Sequence, residues 1–223
     1  MEHTGKYILF FLIFTQGCQK QSGQHLAKEK YRLACAQLTG QRSEQDYRRA
    51  LGYVDQAIAA HYTVEYEALK ATLLLKLGDA EESTIHFQHA LASTSDAAVA
   101  AEVKNNYACA LAQQGHGQDA LEIWRQLVRD AHYMTPEVAW VNIGKWHVDH
   151  RYMKKAHYCF LKAACLEPMY VDAHFYGALA SYACGERSSA RNQITTLLAL
   201  EPEHAGARRL LKALGDHGQV MHI

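Results

Sequence analysis

The feature that most constrains this 223-residue chain is an internal repeat with a period of 34 residues. Residues 137–170 read EVAWVNIGKWHVDHRYMKKAHYCFLKAACLEPMY, in which Trp140, Ile143, Gly144 and His147 are followed by Ala156, Phe160, Ala163 and Pro168. One period later, Ala178, Ala190, Ile194 and Pro202 stand in the places of Gly144, Ala156, Phe160 and Pro168, and Gly185 closes the first half of that copy. One period earlier, in 101–134, Asn106, Ala108, Gly115, Ala120, Trp124 and Leu127 occupy matching places, with Thr135 and Pro136 as a two-residue extension. Residues 64–97 carry the pattern through Ala71, Gly78, Phe87 and Ala90 without a terminal proline, and a degenerate copy at 31–63 is anchored by Ala50 and Ala57. Self-similarity at such a period belongs to stacked supersecondary units.

With residue 137 counted as place 1, each recurring residue has a physical reason. Small residues at places 8, 20 and 27 let two helices approach closely, and a bulky residue at place 24 fills the gap to the next unit. Proline at place 32 cannot continue a helix, because it lacks an N–H and clashes with the preceding turn; Pro136, Pro168 and Pro202 all lie at such ends. The W-x2-L-G-x2-Y…A-x3-F-x2-A…P spacing resembles the tetratricopeptide repeat, with His147 in the place of the usual tyrosine. That implies an all-α fold, a right-handed superhelix of antiparallel helix pairs whose first helices line a concave surface. The expected division is a degenerate repeat at 31–63, four further repeats at 64–100, 101–136, 137–170 and 171–204, and a capping helix and tail at 205–223.

The N-terminus is a separate object. Residues 7–14 (YILFFLIF) form an unbroken apolar run, too short for the roughly 20 residues of a membrane span but suited to a secretory signal. Gly17-Cys18 then supplies the small-residue-plus-cysteine junction of a bacterial lipoprotein signal, although Thr15 stands where leucine is usual. The expectation is a signal peptide at 1–17, lipid attachment at Cys18, and a stretch at 18–30 that begins as a polar leash (19–25) and runs into the first helix; the alternative is an ordinary buried helical turn. Cys35, Cys109, Cys159, Cys165 and Cys184 remain, an odd number that leaves at least one thiol unpaired. All five fall in expected helices, where buried free thiols pack much like alanine.

Twenty-three Lys and Arg balance 23 Asp and Glu, so the cationic surplus that nucleic acid requires is missing. No pattern for catalysis stands out. His147 and His150, and His86 and His89, lie one helical turn apart, but neither pair has a third metal ligand at a recognisable spacing. No cofactor, metal, nucleic acid or small-molecule substrate is expected, and the chain reads as a non-enzyme.

Trp124, Trp140, Phe87 and Phe160 occupy packing places. Phe175, Tyr176 and Tyr182 instead fall at places 5, 6 and 12, which the repeat register aims at the groove. Asn106 and Asn142, both at place 6, are expected on the same inner face with Asn105, Val141, Lys145 and Asp149 nearby. Asparagine offers a donor and an acceptor together, which suits clamping a peptide backbone, although asparagine at this place is also simply common in the repeat.

A lipoprotein-like signal followed by a short tetratricopeptide array resembles the type IV pilus biogenesis and stability lipoproteins, the pilotins that assist the outer-membrane secretin. The run Val103-Lys104-Asn105-Asn106-Tyr107-Ala108 resembles that family's V-x-N-N-Y-G helix start. Gln113-Gln114-Gly115 and Ala120 follow, then Asp130, Tyr133, Pro136 and Asn142-Ile143-Gly144, similar to the family's D-x2-Y-x-P…N-L-G stretch. The resemblance implies a periplasmic protein tethered to the outer membrane that binds secretin subunits and promotes their assembly. Two alternatives stay open: another exported scaffold, such as one organising cell-wall enzymes or lipoprotein assembly, and a cytoplasmic adaptor or chaperone.

Overall fold

A computed structural model describes residues 22–39 and 43–215. Among the described residues there are eleven helices and no strand: α1 (22–37), α2 (Glu44–Ala60), α3 (Val64–Leu77), α4 (Ala80–Ala92), α5 (Ala97–Gln113), α6 (Gly117–Leu127), α7 (Pro136–Asp149), α8 (Met153–Leu166), α9 (Val171–Ala183), α10 (Arg187–Leu200) and α11 (Ala205–Gly215). None of them is long and apolar enough to cross a membrane. The chain divides into two compact units, Met1–Ala110 and Leu111–Ile223, with the division inside α5. The signal segment and Cys18 lie outside the described residues. The expected leash is corrected in part: residues 22–25 are already the first turns of α1, where Gly23 sits so close to the last turn of α2 that a Cβ would lie 2.9 Å from the Ala60 carbonyl oxygen.

In the first unit α2 starts from a capping box. The Ser43 hydroxyl accepts from the Asp46 N–H, and the Asp46 carboxylate accepts from the Ser43 N–H, satisfying two of the donors that a helix start leaves open. Ala34, Ala50, Val54 and Leu73 pack together at 3% exposure or less. Phe87 of α4, fully buried, fills the space between α3 and α5 against Ala68, Ala71 and Val103.

One polar cluster sits within this apolar packing. Glu67 occupies the repeat place that Trp140 holds in a later copy and is 4% exposed. Its Oε1 accepts from Nδ1 of both His86 and His89, each at 2.8 Å, which explains that histidine pair without a metal. Burial pushes the Glu67 carboxyl up, but the hydrogen bonds and charge of the two histidines outweigh it, so the group titrates below the ordinary glutamate range. Glu67→Ala, which removes the acceptor of the part-buried His86 while water can replace it at the exposed His89, is expected to cost about 1 kcal/mol at neutral pH. Because the folded-state carboxyl titrates below its unfolded value of about 4.3, its contribution is complete above that pH and disappears as pH falls through the folded-state value. Urea midpoints of wild type and variant should therefore differ at pH 7 and converge on acidification.

In the second unit the helices pair α7 with α8 and α9 with α10, with α11 against α9 and α10. Gly144 faces Phe160 so closely that a Cβ there would lie 2.5 Å from the ring. Phe160, Ala156 and Ala163 form one core with Val141, Ala173 and Ala180, and Ala178, Ala190, Ile194 and Leu197 form the next with Leu210 and Leu214 of α11. Pro136 is the first residue of α7, while Pro168 and Pro202 stand two residues after Leu166 and Leu200, where α8 and α10 end.

Place 15 carries a conformational rule across the copies. Gly78, Gly115 and Gly185 all have left-handed backbones there, with φ of +93°, +88° and +80°. Arg151 adopts the same conformation, φ +63°, at the one of the four copies between 64 and 204 that lacks glycine there, so the helix-ending geometry overrides the residue's own preference. The cysteine expectation needs correction. Of the five thiols only Cys159 is buried, Cys165 is exposed on α8, and Cys184 lies just past Ala183, the last residue of α9, rather than inside the helix.

Candidate functional site

The first helices of the hairpins in the second unit, α7 and α9, carry most of the sequence-derived site. Lys145 and Asp172 are brought together, with Nζ donating to Asp172 Oδ2 at 3.4 Å. The same ammonium lies 4.4 Å from the centre of the Tyr176 ring. Tyr176 stacks on Phe160 from behind, with centroids 5.7 Å apart and planes at 25°, and meets Phe175 edge-on at 5.5 Å. Phe175 continues to His204, 4.8 Å away, and packs so closely on Gly206 that a Cβ there would come within 2.8 Å. These contacts form a strip of cation, carboxylate and aromatic edges, resting on a buried phenylalanine. Its charges are half-exposed, at 38% and 48% for the two side chains, where an ion pair contributes little to stability and its groups stay accessible to a ligand.

The remaining expected residues fall into different environments. Asn142 is half-buried on α7, with Asp149 exposed at the helix end. Tyr182 packs at the far end of α9 against the α10–α11 core. Val141 is 1% exposed and belongs to the core around Phe160, so its side chain does not face a ligand. In the first unit Asn106 is exposed and Asn105 is buried at 7% exposure. Helix α5 is packed on several sides, with Ala101, Val103, Asn105 and Ala108 all buried, so a single groove-facing stripe does not describe it.

Sequence reasoning missed Asp172 and His204. Asp172 was recoverable from its register, since it lies in the first turn of α9, where carboxylates favour the helix dipole. The second histidine pair is split between two environments: His147 is buried, whereas the ring of His150 stacks on Trp146 at 3.7 Å and its Nδ1 donates to the Trp146 carbonyl at 2.8 Å. The Cys159 thiol, which burial pushes up to about 11, is not a thiolate near neutral pH. Trp124 is core, but Trp140 is only half-buried and meets Tyr158 edge-on.

Neither a protein-family model nor a curated protein matches the sequence. Solved structures do. PilW, described as a widely conserved type IV pilus biogenesis factor, superposes with a TM-score of 0.68 at 20% identity over 86% of this chain and 87% of that one. PilF of Pseudomonas aeruginosa gives 0.69 at 18% identity over 87% of both chains. YrrB, described as a TPR protein with an unusual peptide-binding site, gives 0.53 at 15% identity over 89% of this chain and 97% of that one. At these identities the likeness establishes architecture, and the chain has the all-helical tetratricopeptide-repeat fold.

Proposed function

We propose that this protein is an exported, lipid-anchored adaptor that binds a polypeptide client through the α7–α9 strip, the client being a secretin subunit of a type IV pilus system. The observation that carries the reading is the match along 86% of the chain to a pilus biogenesis factor. It coincides with the pilotin-like run over 103–168 and the lipoprotein-like Gly17-Cys18 junction. The strip has suitable chemistry for a peptide. Lys145 reaches backbone carbonyls or an acidic side chain, Asp172 accepts from backbone N–H groups, and Phe175 and Tyr176 offer ring edges to an apolar side chain. Acyl chains on Cys18 would contribute about 0.8 kcal/mol per buried CH2, so two or more hold the protein at the membrane and raise the local concentration of a bound client there.

Cys18→Ala is expected to leave the far-ultraviolet circular dichroism spectrum unchanged and to move the protein from the outer-membrane fraction to the soluble one. Mass spectrometry of the wild-type N-terminus should find a diacylglyceryl cysteine at position 18. A retained Met1 would instead favour a cytoplasmic adaptor, the reading that the free thiols of Cys35, Cys159, Cys165 and Cys184 support.

A further inference from the structure

Helix α7 has a second working face. Ile143 lies two residues before Lys145, about 200° round the helix, and together with Trp140 it forms the apolar floor of a cavity of about 450 Å³. Arg125 and Arg129, from α6 and the turn behind it, and Lys154 and Lys155, from the start of α8, also line that cavity, and among the described residues no carboxylate does. None of these four cations is in an ion pair among the described residues. Four unneutralised charges around one cavity, in a chain of zero net charge, are a local concentration that folding alone does not require.

A buried group at the same cavity points to a ligand independently. His147 is 6% exposed and lines the cavity, and its Nδ1 has no hydrogen-bond partner among the described residues. Leaving a buried polar atom unsatisfied costs about 1–3 kcal/mol, and a bound acceptor would remove that cost. Burial first, then the charges of Lys155, Arg125 and His150, push this imidazole below its ordinary value. A buried imidazole with an unpartnered ring nitrogen therefore stands in the positive field of the cavity wall.

We infer that this cavity binds an acidic, aromatic segment of a polypeptide, with a carboxylate among Arg125, Lys155 and His147 and an apolar side chain on Trp140 and Ile143. Shape and chemistry select that occupant. An inorganic anion would satisfy the cations but leave the tryptophan floor and most of the volume empty, whereas a short peptide pairs charge with apolar surface in one ligand. The inference rests on the reading of the chain as a polypeptide adaptor, and it adds a second contact on the opposite face of α7 from the strip, so that two parts of one client can be held at once.

The test titrates the full chain with an N-acetylated hexapeptide of alternating glutamate and phenylalanine, by calorimetry and by NMR of the His147 ring. Binding is expected to weaken at least about tenfold when glutamine replaces glutamate, and by a similar factor in Arg125→Gln/Lys155→Gln, since charge-assisted contacts carry the recognition. Affinity should fall with added salt, and the His147 titration should move upward on saturation. Arg48→Glu, on α2 and outside both sites, should leave binding of this peptide unaffected. Equal affinity for the glutamine peptide, an unaltered affinity in the double variant with an unchanged thermal midpoint, or displacement by inorganic phosphate at peptide-like concentration would each overturn the inference. A chain that still captures its client but ignores the peptide refutes this site alone, whereas a chain that binds the peptide but no client refutes the adaptor reading instead.

Discussion

Phe160→Ala is expected to lower the stability of the second unit by about 3–5 kcal/mol, the range for removing a fully buried aromatic side chain. Phe160 is 0% exposed and supports three things at once. It covers Gly144 on α7, packs with Ala156 and Ala163 on its own helix, and backs Tyr176 on α9. Against a typical domain stability of about 5–15 kcal/mol, that is a large share. In a stacked array the loss is also local first, because each unit leans mainly on its neighbours. Trp140 and Trp146 on α7 should therefore report unfolding at lower urea than the helical signal of the whole chain. The same substitution removes the floor of the strip, so client capture should weaken even where the protein is still folded. A loss below about 1 kcal/mol would mean that the site collapses around the missing ring, and that Phe160 does not hold the hairpins together.

The second large effect runs through the same contact from the other side. Gly144→Ala places a methyl 2.5 Å from the Phe160 ring, closer than carbon atoms pack, and the ring is enclosed. Overpacking of this kind costs about 1–3 kcal/mol. The two substitutions should not add. In Gly144→Ala/Phe160→Ala the new methyl enters the space the ring vacated, so the double variant should be more stable than the sum of the singles predicts by about 1–3 kcal/mol. Chemical unfolding of the four proteins closes that cycle, and strict additivity would show that the glycine is there for some reason other than the approach of α7 and α8.

These two residues also explain why the architecture was legible in the sequence. Gly144 and Phe160 are distant in the chain but fixed in spacing, and their partners recur one period on as Ala178 and Ile194. A rule built from size and spacing survives in sequence form. What escaped depends on neighbours in space. Arg151 bears a left-handed backbone because the turn demands it, whatever residue arrives there. Glu67 is tolerated at a packing place only because His86 and His89 reach it from the next helix. Val141 and Asn105 were assigned to the groove from their register, but helices in a stacked array are contacted on several sides, and both are buried. The cationic cavity draws on three helices whose lysines and arginines, read one helix at a time, look like an ordinary solvated surface.

The central claim is that the α7–α9 strip grips another polypeptide. Its most direct test is a photo-reactive amino acid placed at position 145 in cells, with position 48, an exposed arginine on α2, as the control. Irradiation should join position 145, and not position 48, to a secretin subunit identified by mass spectrometry of the adduct. Equal adducts at both positions, or none at 145 while the protein remains folded and abundant, would contradict it.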